Sequence, residues 1–350
     1  MQRFVQGTAS WFNTPMLVTF AFFGTMPLWI EPIGLYSYLG VEVLIWVIFA
    51  LGFNLLLGYT GLPSFGHGAF LGIGGYAFGW FQMNMIPSLW LSLIFAVLMT
   101  AAIGGVVALA LSHRRGIYYA LLTIAVGQIF FFIASKWTSL TGGEDGMLNI
   151  SRLPVELGIA SISLKDNTSL YYFSFAVFVV LVMFLWRLVN SPFGRVIKAI
   201  KQNEMRVGFL GYNVYFYKWA VFTISCAVAG LAGGLFAMAQ EGAYVQVMSL
   251  QWSGIIVLMT LIGGGFVSFW GPVIGTVFFF LARDVLGNEE IVGSFAETWL
   301  LWYGLTFVVI VMFKPDGIAG MWQDLMKKRA KKSMSAEATP LVANPAQASE

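Results

Sequence analysis

The chain has 350 residues, of which 59% are hydrophobic and only 10% charged. A soluble domain carries about 25% charged residues, so a soluble globular protein is excluded. The net charge of +3 says little by itself, and the single cysteine, Cys226, excludes an intramolecular disulfide and any multi-cysteine metal site.

Apolar runs suited to membrane crossing fall at 14–30, 38–57, 69–84, 87–111, 117–134, 169–189, 218–239, 253–267, 271–286 and 299–313. The first follows Arg3 and shares that pattern with signal peptides. No small-x-small cleavage site precedes Trp29 and further spans follow, so it is read as a retained helix. The sequence therefore predicts an all-α polytopic membrane protein of about ten transmembrane helices. The third, eighth and ninth are short and glycine-rich, as broken helices are. Cys226 lies within an apolar run and is expected to pack in the core.

Basic residues set the direction. Arg114 and Arg115 lie in one loop, Arg195, Lys198, Lys201 and Arg206 in another, and Lys327, Lys328, Arg329, Lys331 and Lys332 in the tail. Placing these segments in the cytoplasm gives one alternating topology with both termini inside and 15 of the 19 Lys and Arg residues cytoplasmic. The exceptions are Lys136, Arg152, Lys165 and Arg283. The chain then divides into a cytoplasmic N-terminus (1–13), a membrane domain (14–326) with an outer loop at 135–168 and a cytoplasmic loop at 190–217, and a tail (327–350) that is basic and then disordered.

Residues 58–76, GYTGLPSFGHGAFLGIGGY, break the apolar pattern with seven glycines and a proline. The chain has no Gly-Lys dipeptide, so no Walker A loop exists. His67 and His113 are the only histidines and neither has a ligand cluster around it, so no metal is expected. Ser64 and His67 have the spacing of a nucleophile and base, but no acidic group lies near to orient them. Packing remains. Gly68, Gly72 and Gly75 share a helix face where small residues admit a close neighbour. With no chemical task for His67, its replacement by Ala is expected to be mild. The break is either a tight helical hairpin or the wall of a solute pathway. A short echo, Gly265-x-x-Ser268-Phe269 after Gly61-x-x-Ser64-Phe65, follows Gly263 and Gly264.

Loop 190–217 opens with Ser191-Pro192, a helix start, and repeats Arg195, Lys198, Lys201 and Gln202 at helical spacing opposite Val196, Ile197 and Ile200. Asn203, the lone acid Glu204 and the terminating Gly211 follow. The segment is either a basic helix lying on lipid headgroups or a docking helix for a cytoplasmic partner. In the outer loop, Thr141, Gly142, Gly143, Glu144 and Asp145 form a glycine turn or a docking surface.

Taken in order, GYTGLPSFGHG (58–68), RGIY (115–118), LTGG (140–143), SPFGR (191–195), Asn203-Glu204 before Leu210-Gly211, AGLAG (229–233) and Gly263-Gly264 before WGP (270–272) resemble the permease subunits of branched-chain amino acid (Liv-type) ABC importers. The resemblance implies a non-catalytic subunit without a cofactor, set in the bacterial cytoplasmic membrane. It would work with a second permease, two cytoplasmic ATPase subunits and an extracytoplasmic binding protein, and with no nucleic acid. Loop 190–217 would couple to the ATPase, with Glu204 and Gly211 as key positions, and the 140–143 motif would face the binding protein. Where such permeases often have alanines after the acid, this chain has Met205-Arg206-Val207, and where they commonly have an acid in span five it has Gln128. Alternatives are the same type of permease for urea or short amides, and a secondary transporter. The second would carry ionisable groups deep in its spans, where Gln128 and His67 are the polar candidates here.

Overall fold

The computed structural model describes residues 14–30, 32, 36–156, 161–266, 268–287, 293–314, 316–321 and 324. The N-terminus expected at 1–13 and the tail expected at 327–350 lie outside the described residues. Among the described residues, ten apolar helices stand where ten spans were expected. They are α1 (Thr14–Ile30), α2 (Ser37–Asn54), α3 (Gly68–Asn84), α4 (Leu89–Leu111), α5 (Gly116–Lys136), α7 (Asn167–Asn190), α9 (Val214–Ala239), α10 (Leu250–Gly263), α11 (Gly271–Leu286) and α12 (Trp299–Phe313). Between them lie the four-residue α6 (Thr138–Thr141) and the amphipathic α8 (Pro192–Phe209). The only strands among the described residues are two-residue pieces: β1 (Met147–Leu148) pairs with β4 (Gly242–Ala243), and β2 (Val155–Glu156) with β3 (Ser161–Ile162).

Six stretches are long and apolar enough to cross a membrane. The others are shorter. The 14 residues of α10 rise about 21 Å, less than the roughly 30 Å of a hydrocarbon core. It ends at Gly263, four residues before the expected limit of 267, because Gly264 takes a left-handed φ of +91° and stops it. Local caps explain several starts. Asp166 accepts from the backbone N–H of Thr168 and Ser169 before α7, Ser191 from Gly194 before α8, and Asn213 from Phe216 before α9.

The long middle of α2 is almost wholly enclosed, and α9 is mostly buried, whereas α12 presents nearly all of its surface outward. Glycine contacts hold the centre tight. A Cβ on Gly74 would lie 2.5 Å from Gly230 Cα, and Gly233 abuts the Leu71 carbonyl, so α3 and α9 meet backbone to backbone. Gly263, Gly271 and Gly275 close α10 on α11 in the same way. Cys226 is fully buried against Gly104, as expected of a core residue.

The loops segregate to two ends. One end gathers the 58–67 break, the 112–115 turn, α8 and the 264–270 turn, joined by bonds described below. The other gathers the described residues of the 135–168 loop. There Arg152 meets Glu241 at 3.0 Å and donates to the Ala239 carbonyl at 2.8 Å. Arg283 holds both carboxylate oxygens of Glu42 at 3.0 and 3.1 Å, and also reaches Asp284 and Tyr36. The acids of α2 and α11 are thus paired, as charges near a membrane-spanning segment must be.

Candidate coupling and pathway site

The break after α2 begins as a widened helical turn, Leu55–Thr60, in which Thr60 Oγ1 donates to the Leu55 carbonyl five residues back at 2.8 Å. Gly61, at φ +72°, ends it. The chain then passes Ser64 and turns into α3. Leu62, Ser64, Gly66 and His67 are buried in protein, while Gly61 is exposed. Phe65 N–H donates to Thr123 Oγ1 at 3.1 Å and Gly68 N–H to Ser253 Oγ at 3.0 Å, fixing the break to α5 and α10. Gly66 faces Gly127 of α5 so closely that a Cβ on Gly127 would lie 2.8 Å from Gly66 Cα. Gly72 faces Met248, and Gly75 faces Gly233 and Ala237.

Ser64 and His67 are both fully buried but do not form a pair with each other. His67 Nε2 lies 2.9 Å from Ser225 Oγ, and that hydroxyl gives its one hydrogen to the Gly52 carbonyl at 2.8 Å. His67 Nε2 is therefore the donor. The ring sits among Phe49, Phe53, Phe70 and Phe222. This is a packed core histidine, and no group of three His, Cys, Asp or Glu able to hold a metal occurs among the described residues.

Gln128 lies near the middle of α5 and is exposed, in a stripe with Leu121, Ala125 and Phe132. The face of α5 opposite this stripe carries Thr123 and Gly127 against the break.

At the same end as the break, α8 is two helical pieces. Asn203 has extended backbone (φ −160°, ψ 100°), and its side chain accepts from Arg206 N–H at 2.9 Å, starting the second piece as a cap. Gly211 follows with φ +86°. The basic face read from the sequence is divided. Arg195 and Lys201 are exposed and Lys198 is half-buried, but the ammonium groups of both lysines reach back to the bundle. Lys198 Nζ lies 5.3 Å from the Tyr59 ring centre, and Lys201 Nζ 4.7 Å from that of Phe266. Lys201 also donates to the carbonyls of Gly58 at 2.7 Å and Phe266 at 3.2 Å. Burial lowers the pKa of both lysines from the ordinary value. Helical spacing put these cations on one face but could not say that the face would meet two broken-helix turns.

Glu204 is held inside the chain as well, by Arg115 Nε at 3.0 Å and Lys218 Nζ at 3.4 Å. Lys218 is 1% exposed and donates to the Arg114 carbonyl at 2.8 Å. Nothing in the local pattern marks this lysine, which stands at the edge of an apolar run. What α8 and the turn after it offer outward is mainly apolar: Met205, Phe209 (86% exposed), Leu210 (73%) and Tyr212, with the exposed Arg206 among them. A run of apolar residues just before a glycine turn was the available signal.

At the opposite end, Thr141 is buried, its Oγ1 2.6 Å from the Ala134 carbonyl and 2.7 Å from that of Trp137. Gly142 and Gly143 take φ of +77° and +70°, turning Glu144 and Asp145 to the surface. Glu144 meets Lys136 at 3.4 Å, both exposed.

The family described as "Branched-chain amino acid transport system / permease component" matches residues 35–312. The chain belongs to this family. It is 30% identical over 305 residues to the high-affinity branched-chain amino acid transport system permease protein LivM of Escherichia coli K12, covering 81% of this chain and 70% of that one. The probable LivM of Methanocaldococcus jannaschii is 23% identical, covering 79% of this chain and 92% of its own length. The nucleoside ABC transporter permease protein NupC of Lactococcus lactis is 25% identical, with 67% and 76% covered. No solved structure matches the chain. The chain is thus a multi-pass, non-catalytic permease subunit of an ABC transporter, which functions with other subunits.

Proposed function

We propose that the chain is one of two permease subunits of an importer for branched-chain or other hydrophobic amino acids. An extracytoplasmic binding protein delivers the solute and two cytoplasmic ATPase subunits drive it. The observation that carries this reading is the tip of α8. Phe209 and Leu210 project from a helix that ion pairs and buried apolar residues clamp to the bundle. Apolar side chains so exposed beside a basic segment fit a protein groove, and a helix so clamped can pass a push to the spans. On this reading the end bearing α8 is cytoplasmic, with both termini, in a bacterial cytoplasmic membrane. Glu144 and Asp145 then face the binding protein.

Gln128 supports a pathway on the outward face of α5. An amide facing hydrocarbon without a partner costs about 2 kcal/mol or more, so this stripe fits a wet or protein-lined seam against the second permease. The substrate class follows the LivM relatives; the nucleoside permease relative marks the competing one.

The test is uptake by proteoliposomes holding the permease pair, the ATPase subunits and the binding protein. Leucine, isoleucine and valine should enter only with ATP and with binding protein. Entry of a nucleoside or of urea instead would reassign the substrate, and uptake indifferent to the ATPase subunits would end the ABC-importer reading. Gln128→Leu should leave the permease as stable as before while slowing uptake.

A further inference from the structure

One ammonium group joins three segments far apart in sequence. Lys201 Nζ donates to the carbonyl of Gly58, in the widened turn that ends α2, and to that of Phe266, in the turn that follows α10. The Gly58 carbonyl lies in the last turn of its helix, where unpaired carbonyls carry partial negative charge and favour a cation, and the Phe266 carbonyl lies in the turn three residues beyond the end of α10. The Lys201 stem, on an otherwise exposed residue, touches the first turn too. A Cβ on Gly61 would lie 3.2 Å from Lys201 Cγ.

The two turns are alike in outline. Each contains a left-handed glycine, Gly61 at φ +72° after the Gly58 carbonyl and Gly264 at φ +91° before that of Phe266. Each is followed by a Ser-Phe pair and a new helix, α3 or α11. They also touch through Asn54, whose side chain lies against Gly58 and Gly265. In the sequence echo Gly61 stands opposite Gly265, whereas the left-handed glycine of the second turn is Gly264, so the two turns are not alike residue for residue; Lys201 sits where they meet.

Glu204 lies on the other side of the Asn203 kink and attaches to Arg115 and Lys218 at the starts of α5 and α9. The first piece of α8 is thus fastened to the ends of α2 and α10, and the second piece to the starts of α5 and α9.

We propose that Lys201 is the positioning residue that makes the α2–α3 and α10–α11 hairpins move together with α8 when the ATPase subunits move it. This rests on the coupling reading above. A single ammonium shared by two carbonyls allows neither turn to leave α8 without breaking a charge-assisted hydrogen bond. Its loss separates ATP hydrolysis from transport while the fold stands on its glycine-packed helices.

The experiment uses the full reconstituted complex and reads solute transported per ATP hydrolysed. Lys201→Met keeps the stem and removes the donor. It should bind the ATPase subunits and melt as the wild type does, while transport per ATP falls at least about fivefold, the lower end of a coupling free energy. Lys201→Arg, which can donate to both carbonyls, should restore most of it. Lys201→Ala, which also has no donor, takes the place of Lys201→Met if that variant does not assemble. A folded Lys201→Met or Lys201→Ala complex with wild-type transport per ATP would overturn the proposal. So would a proportional loss of folded complex, hydrolysis and uptake at unchanged transport per ATP, which is the mark of a merely structural lysine. A wild-type complex without ATP-driven uptake would instead remove the coupling reading, and the pin with it.

Discussion

Glu204 Oε1 lies 3.4 Å from Nζ of Lys218, a lysine that is 1% exposed, while Glu204 Oε2 holds Arg115 at 3.0 Å. The one acid of α8 thus answers two cations of its own chain. Removing it leaves the Lys218 ammonium buried with only the Arg114 carbonyl, at a cost of about 3 kcal/mol. Glu204→Gln should lower the thermal midpoint of the purified permease. Lys218→Met in the same chain should restore most of the loss, because the stranded charge is then gone. An unshifted midpoint in Glu204→Gln would show that the clamp adds nothing to stability.

Phe209 and Leu210 have little of the chain around them. Replacing both with Ala should change folding stability by no more than ~0.5 kcal/mol. Binding of the ATPase subunits should weaken about tenfold or more, as for truncated interface anchors. Titrating ATPase subunits onto the purified permease measures this. Equal affinities for variant and wild type would place the docking surface elsewhere.

The glycine face of α3 is graded. Gly74→Ala would drive a methyl into the Gly230 backbone, which cannot yield, whereas Gly72→Ala meets the flexible side chain of Met248. Gly74→Ala should therefore cost more folded protein, scored by size-exclusion chromatography in detergent. His67→Ala, expected from sequence to be mild, should cost about 3 kcal/mol. It opens a cavity among four phenylalanine rings and strips Ser225 of a partner. Wild-type yields for both Gly74→Ala and His67→Ala would contradict the packing described.

Glu144 and Asp145 stand exposed on a turn fixed by Thr141 and two left-handed glycines. Replacing both acids with Ala should raise the half-saturating concentration of binding protein a few-fold at low salt. At high salt the difference should vanish. Identical half-saturation under both conditions would leave the turn a structural element only.

The sequence revealed the positions of the apolar helices, the break at 58–67 and the existence of α8, because these depend on local pattern. Span length, a glycine cluster and a Ser-Pro start each act over a few residues. Residue pairings were not legible. Arg115, Glu204 and Lys218 meet across α5, α8 and α9, and Gly58, Lys201 and Phe266 across α2, α8 and the turn after α10. A helical wheel shows that Lys198 and Lys201 share a side, but the same charge pattern suits solvent, headgroups or a row of carbonyls. Gln128 was visible as a polar residue in an apolar run; that it looks out of the bundle depends on how α5 packs.

The middle of α2 is as apolar as a lipid-facing helix, yet 94% of its most apolar window is enclosed by protein. In the finished protein its greasiness does not serve contact with acyl chains. It serves the moment of synthesis, when the helix must leave the insertion machinery alone. Its neighbours α7, α9 and α11 are made later in the chain. Until they arrive, α2 stands in lipid with its fully buried Asn54 uncovered. The centre of this permease is thus an early helix enclosed by later ones, and a chain truncated before α9 would leave that centre bare.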